Sequence, residues 1–565
     1  MSVGIRLDTL ARGWRGRLLA VLIALVAGLP GLIALPVTDR DEARFAEATA
    51  QMLESGDFVQ INFQDVPRDK KPVGIHWLQA ASVALVSSAQ ARQIWAYRIA
   101  SLLGAMLAAG ACAWGAEALL GAGAGVIAGA ILGGCFILST EASIATTDAV
   151  LCGATTLTMA AFARIYGASK GIGEAGWRTK FLFWLGLALG VLVKGPIGPM
   201  VAALTGLALW AWDRRAPWGR TLGWIWGLLL IVAVAGPWAV AITIKTDGAF
   251  WSRAITGDLA PKLAGGQEGH GFPPGFHLLL LPLLFFPATA LLPAAFWEGW
   301  KARAEPGVRF ALCWLVPSWI IFELAPTKLP HYTLPLYGAL AWLAAAGLSR
   351  PLGRWTRTRS AFWSVLPGVL LAVACAAVYA STHQGAAGAA LAMTVVSIVI
   401  VLAAAAAGAL VLSSRLGLAA LAAALALGIA AHGFIVAGEL PALRAIWVSN
   451  ELAAGLTKAG LNPRGGLIPG PVTIAGYGEP SAVFLLGAET ELGDVGDAAE
   501  AISEGRPAVV EQRQDAAFHA ELAADKLSAS AAGVVQGYDY SVRRPVKLTL
   551  YQSDNPPLPS GQGAP

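Results

Sequence analysis

The feature that most constrains this chain is a succession of long apolar runs, each of about 17 to 25 residues, the length an α-helix needs to cross roughly 30 Å of hydrocarbon. Lipid offers no partner to an unpaired backbone amide, so such runs fold as helices. We mark thirteen, near 17–37, 95–119, 123–140, 148–165, 181–194, 196–213, 222–244, 276–297, 308–324, 333–349, 360–381, 390–413 and 416–438. Hydrophobic residues make up 56% of the chain and charged residues only 13%, against about 25% charged in an ordinary soluble protein. That is too little polar surface to clothe a soluble fold, which excludes a cytosolic enzyme, a secreted disulfide scaffold and a disordered regulator.

The net charge of +5 comes from small clusters between apolar runs, not from one basic face, and so argues against a nucleic-acid partner. Cys112, Cys135, Cys152, Cys313 and Cys375 lie in apolar segments without metal-like spacing and read as passive core residues. Arg6, Arg12, Arg15 and Arg17 precede the apolar stretch Leu18–Pro36. This start is similar to a signal peptide, but it is long and lacks a small-residue cleavage site, so we read it as a retained first transmembrane helix. The positive-inside rule then orients the chain. With the N-terminus in the cytoplasm, Arg164/Lys170/Arg178/Lys180, Arg214/Arg215/Arg220, Lys301/Arg303/Arg309, Arg350/Arg354/Arg357/Arg359 and Arg415 all fall inside. The parity requires that Ile75–Val86, 12 residues long, lies at the interface without crossing.

The opposite loops, 38–94, 141–147, 194–196, 245–275, 325–332 and 382–389, face outward with everything after about 439. The segment 440–565 loses the long apolar runs and shows strand-like stretches at Pro471–Tyr477, Ala482–Leu486, Ala508–Glu511 and Val546–Tyr551, broken by Gly and Pro. It reads as a small α/β domain outside the membrane, with Pro556–Pro565 a disordered tail.

Polar chemistry gathers in these outer loops. Thr38 and Asp41 form a capping-box-like start and Gly56 a stop, which predicts a short helix carrying Asp41 and Glu42 in its first turn and resting on the membrane through Phe45, Met52 and Leu53. Its carboxylates either complement the helix dipole or do chemistry. Pro67-Arg-Asp-Lys-Lys-Pro72 sets three cations in four positions, suited to anionic lipid headgroups or to the phosphate of a lipid-linked substrate. Thr140-Glu-Ala-Ser-Ile-Ala-Thr-Thr-Asp148 places a carboxylate at the outer mouth of a span, where ionisable groups are functional candidates. Lys194-Gly-Pro, Thr327-Lys-Leu-Pro-His-Tyr332 and Gly266-Gln-Glu-Gly-His270 add Lys194, Lys328, His331, Tyr332, Glu268 and His270. Asp41, Lys71, Asp148, Lys194, His270 and Lys328 therefore share one side, an arrangement fit for holding a lipid phosphate while a carboxylate deprotonates an attacking hydroxyl. Trp77 and Trp251 read as interface anchors.

Asp41-Glu-Ala-Arg-Phe-Ala-Glu47, Met52-Leu-Glu-Ser-Gly-Asp57, Lys71-Pro72, Asp148, Lys194-Gly195 and Lys328-Leu-Pro-His-Tyr332 together resemble, in order over about residues 15–350, the polyprenyl-phosphate-sugar-dependent glycosyltransferases of the aminoarabinose transferase and protein O-mannosyltransferase superfamily. The resemblance implies a GT-C fold: an α-helical polytopic membrane domain over 1–438 with about 13 transmembrane helices and periplasmic amphipathic helices in 38–94, followed by a C-terminal periplasmic α/β domain over 439–565. It implies Asp41 and Asp148 as catalytic carboxylates, Arg44, Lys71, Lys194 and Lys328 as donor-phosphate ligands, and Glu42, His270, His331 and Tyr332 in the substrate pocket. The family often carries Glu just before the Lys-Pro, where this chain has Lys70. A divalent metal is thus not required by the pattern; Asp69, Glu268 and His270 are the residues with the chemistry to hold one. The implied function is transfer of a sugar from a polyprenyl-phosphate donor to lipid A, lipopolysaccharide or another envelope acceptor at the periplasmic face of a bacterial inner membrane. Tyr477-Gly-Glu-Pro-Ser481 is similar to the small domain of the lipid A branch and favours a lipid acceptor over a protein one. A transporter or flippase for a lipid-linked anion is the rival from another class, and a protein O-glycosyltransferase the rival within it.

Overall fold

The computed structural model describes residues 13–265, 271–350, 354–382, 388–412, 417–465 and 470–554. Arg6 and Arg12, the Glu268–His270 patch and the tail after residue 554 lie outside them. Apolar runs become helices where expected: α1 (Trp14–Ala34), then after two shorter helices α4 (Ile94–Leu120), the bent pair α5 (Ala122–Gly134) and α6 (Phe136–Ala142), α7 (Asp148–Ser169) and α8 (Trp177–Lys194). Among the described residues eight helices are long and apolar enough to cross a membrane, or ten if each of two bent pairs is one span, so the count of thirteen is not confirmed. Part of the difference lies in proline-broken runs. The run near 276–297 holds Pro282, Pro287 and Pro293 and turns by 119° between Phe276–Leu284 and Ala288–Lys301, because proline removes a ladder donor and clashes with the preceding turn. The run near 333–349 is a 3₁₀ turn, Pro330–Leu336, feeding a helix of only 12 residues, Tyr337–Leu348. The last long apolar helix, Gly417–Ala442, runs past residue 438, so the expected domain boundary falls inside it.

Helices α4 and α7 pack backbone to backbone. A Cβ on Gly153 would lie 2.5 Å from the Gly104 carbonyl oxygen, and one on Gly104 would lie 2.6 Å from the Val150 backbone; small residues are what permit such an approach between membrane helices. At its first residue α7 carries Asp148, bonded to Lys194 at 2.6 Å. Just past its last, Lys170 pairs with Asp213 at 2.9 Å, and Arg309 joins the same carboxylate. Twenty-two residues separate these clusters, about 33 Å at 1.5 Å per residue. The two sets of loops thus gather at opposite ends of the helix bundle, as the charge pattern requires. All five cysteines are free and buried.

The loop after α1 forms α2 (Asp41–Ser55), closed by Gly56 in the left-handed conformation at φ +72°. Its start differs from expectation. No Thr38–Asp41 capping box forms: Arg40 is the N-cap at φ +61°, and Thr38 donates through both its backbone N–H and its hydroxyl to Glu42. Phe45 and Met52 are buried in protein, not laid on lipid; Phe45 packs with Ile75, Ala100, Val150 and Val193. A two-strand turn, β1 (Asn62–Phe63) and β2 (Val66–Pro67), leads into α3 (Gly74–Val86), the 13-residue apolar helix too short to span comfortably.

Glu42 is 1% exposed and Arg98, one turn into α4, is fully buried. Arg98 donates to both Glu42 oxygens at 2.7 and 2.8 Å, and to the carbonyls of Gly31, Leu35 and Pro36 at 3.2, 2.6 and 2.9 Å. The guanidinium therefore satisfies carbonyls left open at the C-terminal end of α1 and ties that end to α2.

The C-terminal region carries a five-stranded sheet in the order β4-β3-β5-β7-β6, from β3 (Thr473–Ala475), β4 (Glu491–Gly493), β5 (Ala508–Glu511), β6 (Ala529–Asp539) and β7 (Arg544–Ser553). The β3 strand runs parallel to β4 and β5, while β7 runs antiparallel to β5 and β6. Two readings change here. Ala482–Leu486 is not a strand but lies within the helix Pro480–Leu486, whose Pro480 at the first helical position is the start signal. The strand β6 was not expected, because its small residues and glycines carry little β preference; its pairing with β7 sets it.

Removing one partner of a buried ion pair strands the other charge, at a cost of about 3–5 kcal/mol. Glu42→Ala is accordingly expected to lower the thermal unfolding temperature of the detergent-solubilised chain sharply. An unchanged transition would show that the pair does not hold α1 to α2.

Candidate active site

Five chain segments converge at the Asp148 end of the bundle. Asp41 opens α2, where a carboxylate complements the positive end of the helix dipole, and Asp148 does the same for α7. Lys194 closes α8 as a cation at the negative end, and Gly195-Pro196 stops that helix there. Arg68 and Lys71 come from the turn between β2 and α3, and His331 and Tyr332 from the 3₁₀ turn that Pro330 begins.

Within this cluster Lys194 Nζ sits 2.6 Å from Asp148 Oδ1 and 5.3 Å from the centre of the Tyr332 ring. The His331 imidazole bridges two carboxylates, with Nε2 3.7 Å from Asp148 and Nδ1 3.4 Å from Glu141. On the other flank, Arg68 and Lys71 lie over the Phe45 ring at 4.8 and 4.9 Å, and Arg68 reaches Asp41 at 3.5 Å. Asp41 keeps 56% of its side chain exposed, so a ligand can reach it.

Charge placement tunes these groups. Burial by itself would raise the Asp41 carboxyl, but Lys71, Arg68 and Arg44 outweigh it and hold the group below the ordinary carboxylate range. Burial first, and then the neighbouring Lys194, bring Lys71 down to about 8. Burial also lowers His331 to about 4 despite Asp148 beside it, so the ring is neutral at pH 7. The patch offers an ionised carboxylate beside several cations, the combination that accepts a proton while neutralising a phosphate.

Several sequence-derived residues take other places. Lys328 is 1% exposed and donates to the carbonyls of Phe272 at 2.8 Å and Ala325 at 2.5 Å, which makes it a staple of its own loop and not an open phosphate ligand. Glu42 is consumed by Arg98, Thr38 and the Ala145 N–H, and so does not line a pocket. Asp69 is buried and bonded by Arg253 at 2.6 Å. Glu268 and His270 fall outside the described residues. Among the described residues no group of three or more His, Cys, Asp or Glu side chains is arranged to hold a metal. Arg44 is a charged neighbour of Asp41 and lines a cavity together with Arg40 and residues of the C-terminal region. Sequence reasoning passed over Glu141 and Arg98, and took Arg68 only as one of the three cations of its turn. Glu141 stood in the same motif as Asp148, and its position before the turn 143–147 was the available signal.

The family model described as dolichyl-phosphate-mannose-protein mannosyltransferase matches residues 18–251. The chain is 29% identical over 343 residues to the undecaprenyl phosphate-alpha-4-amino-4-deoxy-L-arabinose arabinosyl transferase of Edwardsiella ictaluri (strain 93-146), covering 59% of each. It is 28% identical over 333 residues to the protein of that name in Enterobacter sp. (strain 638), covering 57% of this chain and 58% of the relative. The chain thus spans less than two thirds of the length of these curated relatives. In three dimensions it matches ArnT from Cupriavidus metallidurans, with a TM-score of 0.74 for the apo state and 0.75 for the state bound to undecaprenyl phosphate, at 20% identity over 94% of this chain and 97% of that one. The chain has the GT-C fold of ArnT. It is a multi-pass membrane protein, and the resemblance carried by its motifs is borne out in sequence and in fold.

An ordinary lysine titrates near 10.4, so competitive acylation of Lys71 in the intact protein, followed by mass spectrometry, is expected to rise through about pH 8. Asp41 supports the charged form of Lys71, so Asp41→Asn is expected to move that midpoint lower. An upward move would contradict the charge coupling.

Proposed function

We propose that this chain is a glycosyltransferase that moves a sugar from a polyprenyl-phosphate donor to lipid A, lipopolysaccharide or a similar envelope acceptor, working at the periplasmic face of a bacterial inner membrane. Its membrane domain carries the reaction, and its C-terminal α/β region, over about 439–565, lies on the same periplasmic side. The observation that carries the reading is the meeting of Asp41, Lys71 and the Lys194–Asp148 pair at one end of a helix bundle. The names of the arabinosyl transferase relatives and the undecaprenyl phosphate held by the matching ArnT structure support the choice of donor.

In this reading Lys71 and Lys194 receive the donor phosphate, with Arg68 and Arg44 adding positive charge. Asp41 takes the proton of the acceptor hydroxyl as its oxygen bonds to the anomeric carbon of the sugar. The bond from that carbon to the phosphate oxygen breaks, and the polyprenyl phosphate departs with the electron pair, its charge neutralised by the lysines. Asp148 positions Lys194, and His331, neutral and partly buried, stands between Asp148 and Glu141. Tyr332 forms the wall beside Lys194. A flippase places its working charges near the bilayer midplane, whereas these groups sit at helix ends, which favours chemistry over transport.

The test is mass spectrometry of envelope glycolipids from cells lacking the chain, complemented with wild type or with Asp41→Asn. A glycan mass returning only with wild type is the expected result, with transfer by the variant down by about 10²–10⁴, the contribution of a general base, and donor retention unchanged. Equal restoration by both would overturn the role of Asp41, and a glycan found on protein in place of lipid would move the acceptor to the protein class.

A further inference from the structure

The proline elbow between Phe276–Leu284 and Ala288–Lys301 encloses a crevice of about 440 Å³, closed on its far side by the helix Arg354–Thr382. Pro282 and Pro293 stand in its wall, so the breaks that fold the run back also make the space. Among the described residues its lining is apolar with one exception, Arg359. Leu278, Phe296 and Trp297 line it and are themselves exposed. The crevice therefore opens sideways, onto the surface that a membrane chain turns to lipid.

Its two ends lie at different depths. The N–H groups of Gly275 and Leu278 donate to Glu323 at 2.9 and 3.0 Å, in the last turn of the helix Pro306–Leu324. Arg359 belongs to the other end. Glu305, the N-cap of that same helix, pairs with Arg350, and Arg309 in its first turn pairs with Asp213, at the end of the bundle away from Asp148. Arg359 follows in the second turn of the helix that starts at Arg354. The helix Leu292–Lys301 marks where hydrocarbon stops. Its Trp297 and Trp300 are exposed, with Lys301 Nζ 5.2 Å from the Trp297 ring and the Arg303 guanidinium 4.9 Å from the Trp300 ring, the company of tryptophan and cation that forms at a headgroup boundary. Lys301 also reaches Glu298 at 3.3 Å, yet keeps 56% of its side chain exposed.

An acyl chain gains little by leaving bulk lipid for an apolar crevice, because lipid tails are as apolar as leucine. Selectivity has to come from the charged end of the lipid. Arg359 in the lining, and Lys301 over the Trp297 that lines it, present positive charge at headgroup depth, and that complements a phosphate. We propose that the elbow crevice binds an anionic phospholipid of the leaflet opposite the Asp41 patch, with its phosphate at Arg359 and Lys301 and one acyl chain running along Trp297 and Leu281 toward Leu278. The site lies at the other end of the bundle from Lys71 and Lys194, and it does not depend on sugar transfer. The bound chain fills the space that the prolines open and joins the elbow to the helix Arg354–Thr382.

The test uses the full chain, delipidated in detergent, with two probes of identical acyl chains, phosphatidylglycerol and phosphatidylethanolamine, read by native mass spectrometry. Wild type is expected to retain phosphatidylglycerol about fivefold more tightly or better, the effect of one or two basic side chains at a headgroup, and to lose part of that preference in high salt. Arg359→Gln is expected to remove most of the preference while retention of phosphatidylethanolamine stays as it was. Leu278→Trp, which fills the crevice from its other end, is expected to weaken both probes, and Lys71→Gln to leave the preference in place. Phosphatidylglycerol carrying a diazirine on one acyl chain is expected, on illumination of wild type, to label peptides that contain Leu281 or Trp363. Equal retention of both probes by wild type overturns the proposal. So does a preference kept by Arg359→Gln and lost by Lys71→Gln, which assigns the anionic lipid to the other end of the bundle. Labelling confined to peptides away from the elbow overturns it as well, and because that measurement needs no variant, a folding defect in Arg359→Gln or Leu278→Trp does not decide the matter.

Discussion

The contact on which the rest depends is the buried pair of Glu42 and Arg98. Each donor nitrogen of the guanidinium is used, on the carboxylate and on the open carbonyls at the end of α1. A charge buried in this way is tolerated only when paired and fully bonded, and here the bonding fixes three pieces of chain at once. The last turn of α1, the first turn of α2 and the start of α4 cannot move independently. Asp41 is the residue next to Glu42, so its position is set by the same lock. Ala145, whose N–H also donates to Glu42 at 2.7 Å, extends that lock to the turn that leads into Asp148.

With the frame fixed, the remaining problem is electrostatic. Lys71, Arg68, Arg44 and Lys194 are brought close together, and a cluster of like charges resists assembly. The carboxylates are the answer to that repulsion. Asp148 neutralises Lys194, Asp41 supports Arg68 and Lys71, and Glu141 stands behind His331. Lys71 still feels Lys194 and gives up part of its basicity. A phosphate anion arriving among these cations relieves the repulsion, so the patch is built to be more comfortable occupied than empty.

Much of this was legible in the sequence because lipid simplifies the problem. Apolar length marks helices, and the alternation of cationic loops sorts their ends, which is why the sequence alone sets Asp41, Lys71, Asp148 and Lys194 on one side. What was not legible depends on contacts between distant segments. Lys328 and Lys194 look alike in sequence, each a lysine at an outward turn beside Gly or Pro, yet one is spent on two backbone carbonyls and the other faces Asp148. Arg98 was hidden as a single charge inside an apolar run, and its partner Glu42 was indistinguishable from the adjacent Asp41 until the turn of the helix pointed one inward and the other out. The span count failed for a local reason, since apolar length does not report where prolines fold a run back on itself, as between Phe276 and Lys301.

Hydrogen bonds also tie the first loop to the C-terminal region. The Asp39 N–H donates to the Tyr540 hydroxyl at 2.7 Å, Ser481 donates to the Asp39 carboxylate, and Arg40 donates to the Ser541 carbonyl. Between these anchors Arg40 is held at φ +61°, a conformation unfavourable for a residue with a side chain. Such strain persists only where surrounding structure over-determines it, and it is found at functional sites. Here the surroundings are two: Glu42 locked by Arg98 on one side of Arg40, and Asp39 tied to the C-terminal region on the other. Asp41 lies between the two restraints, so the orientation of the exposed carboxylate is a joint product of the membrane helices and the outer sheet region, and neither can shift without turning it.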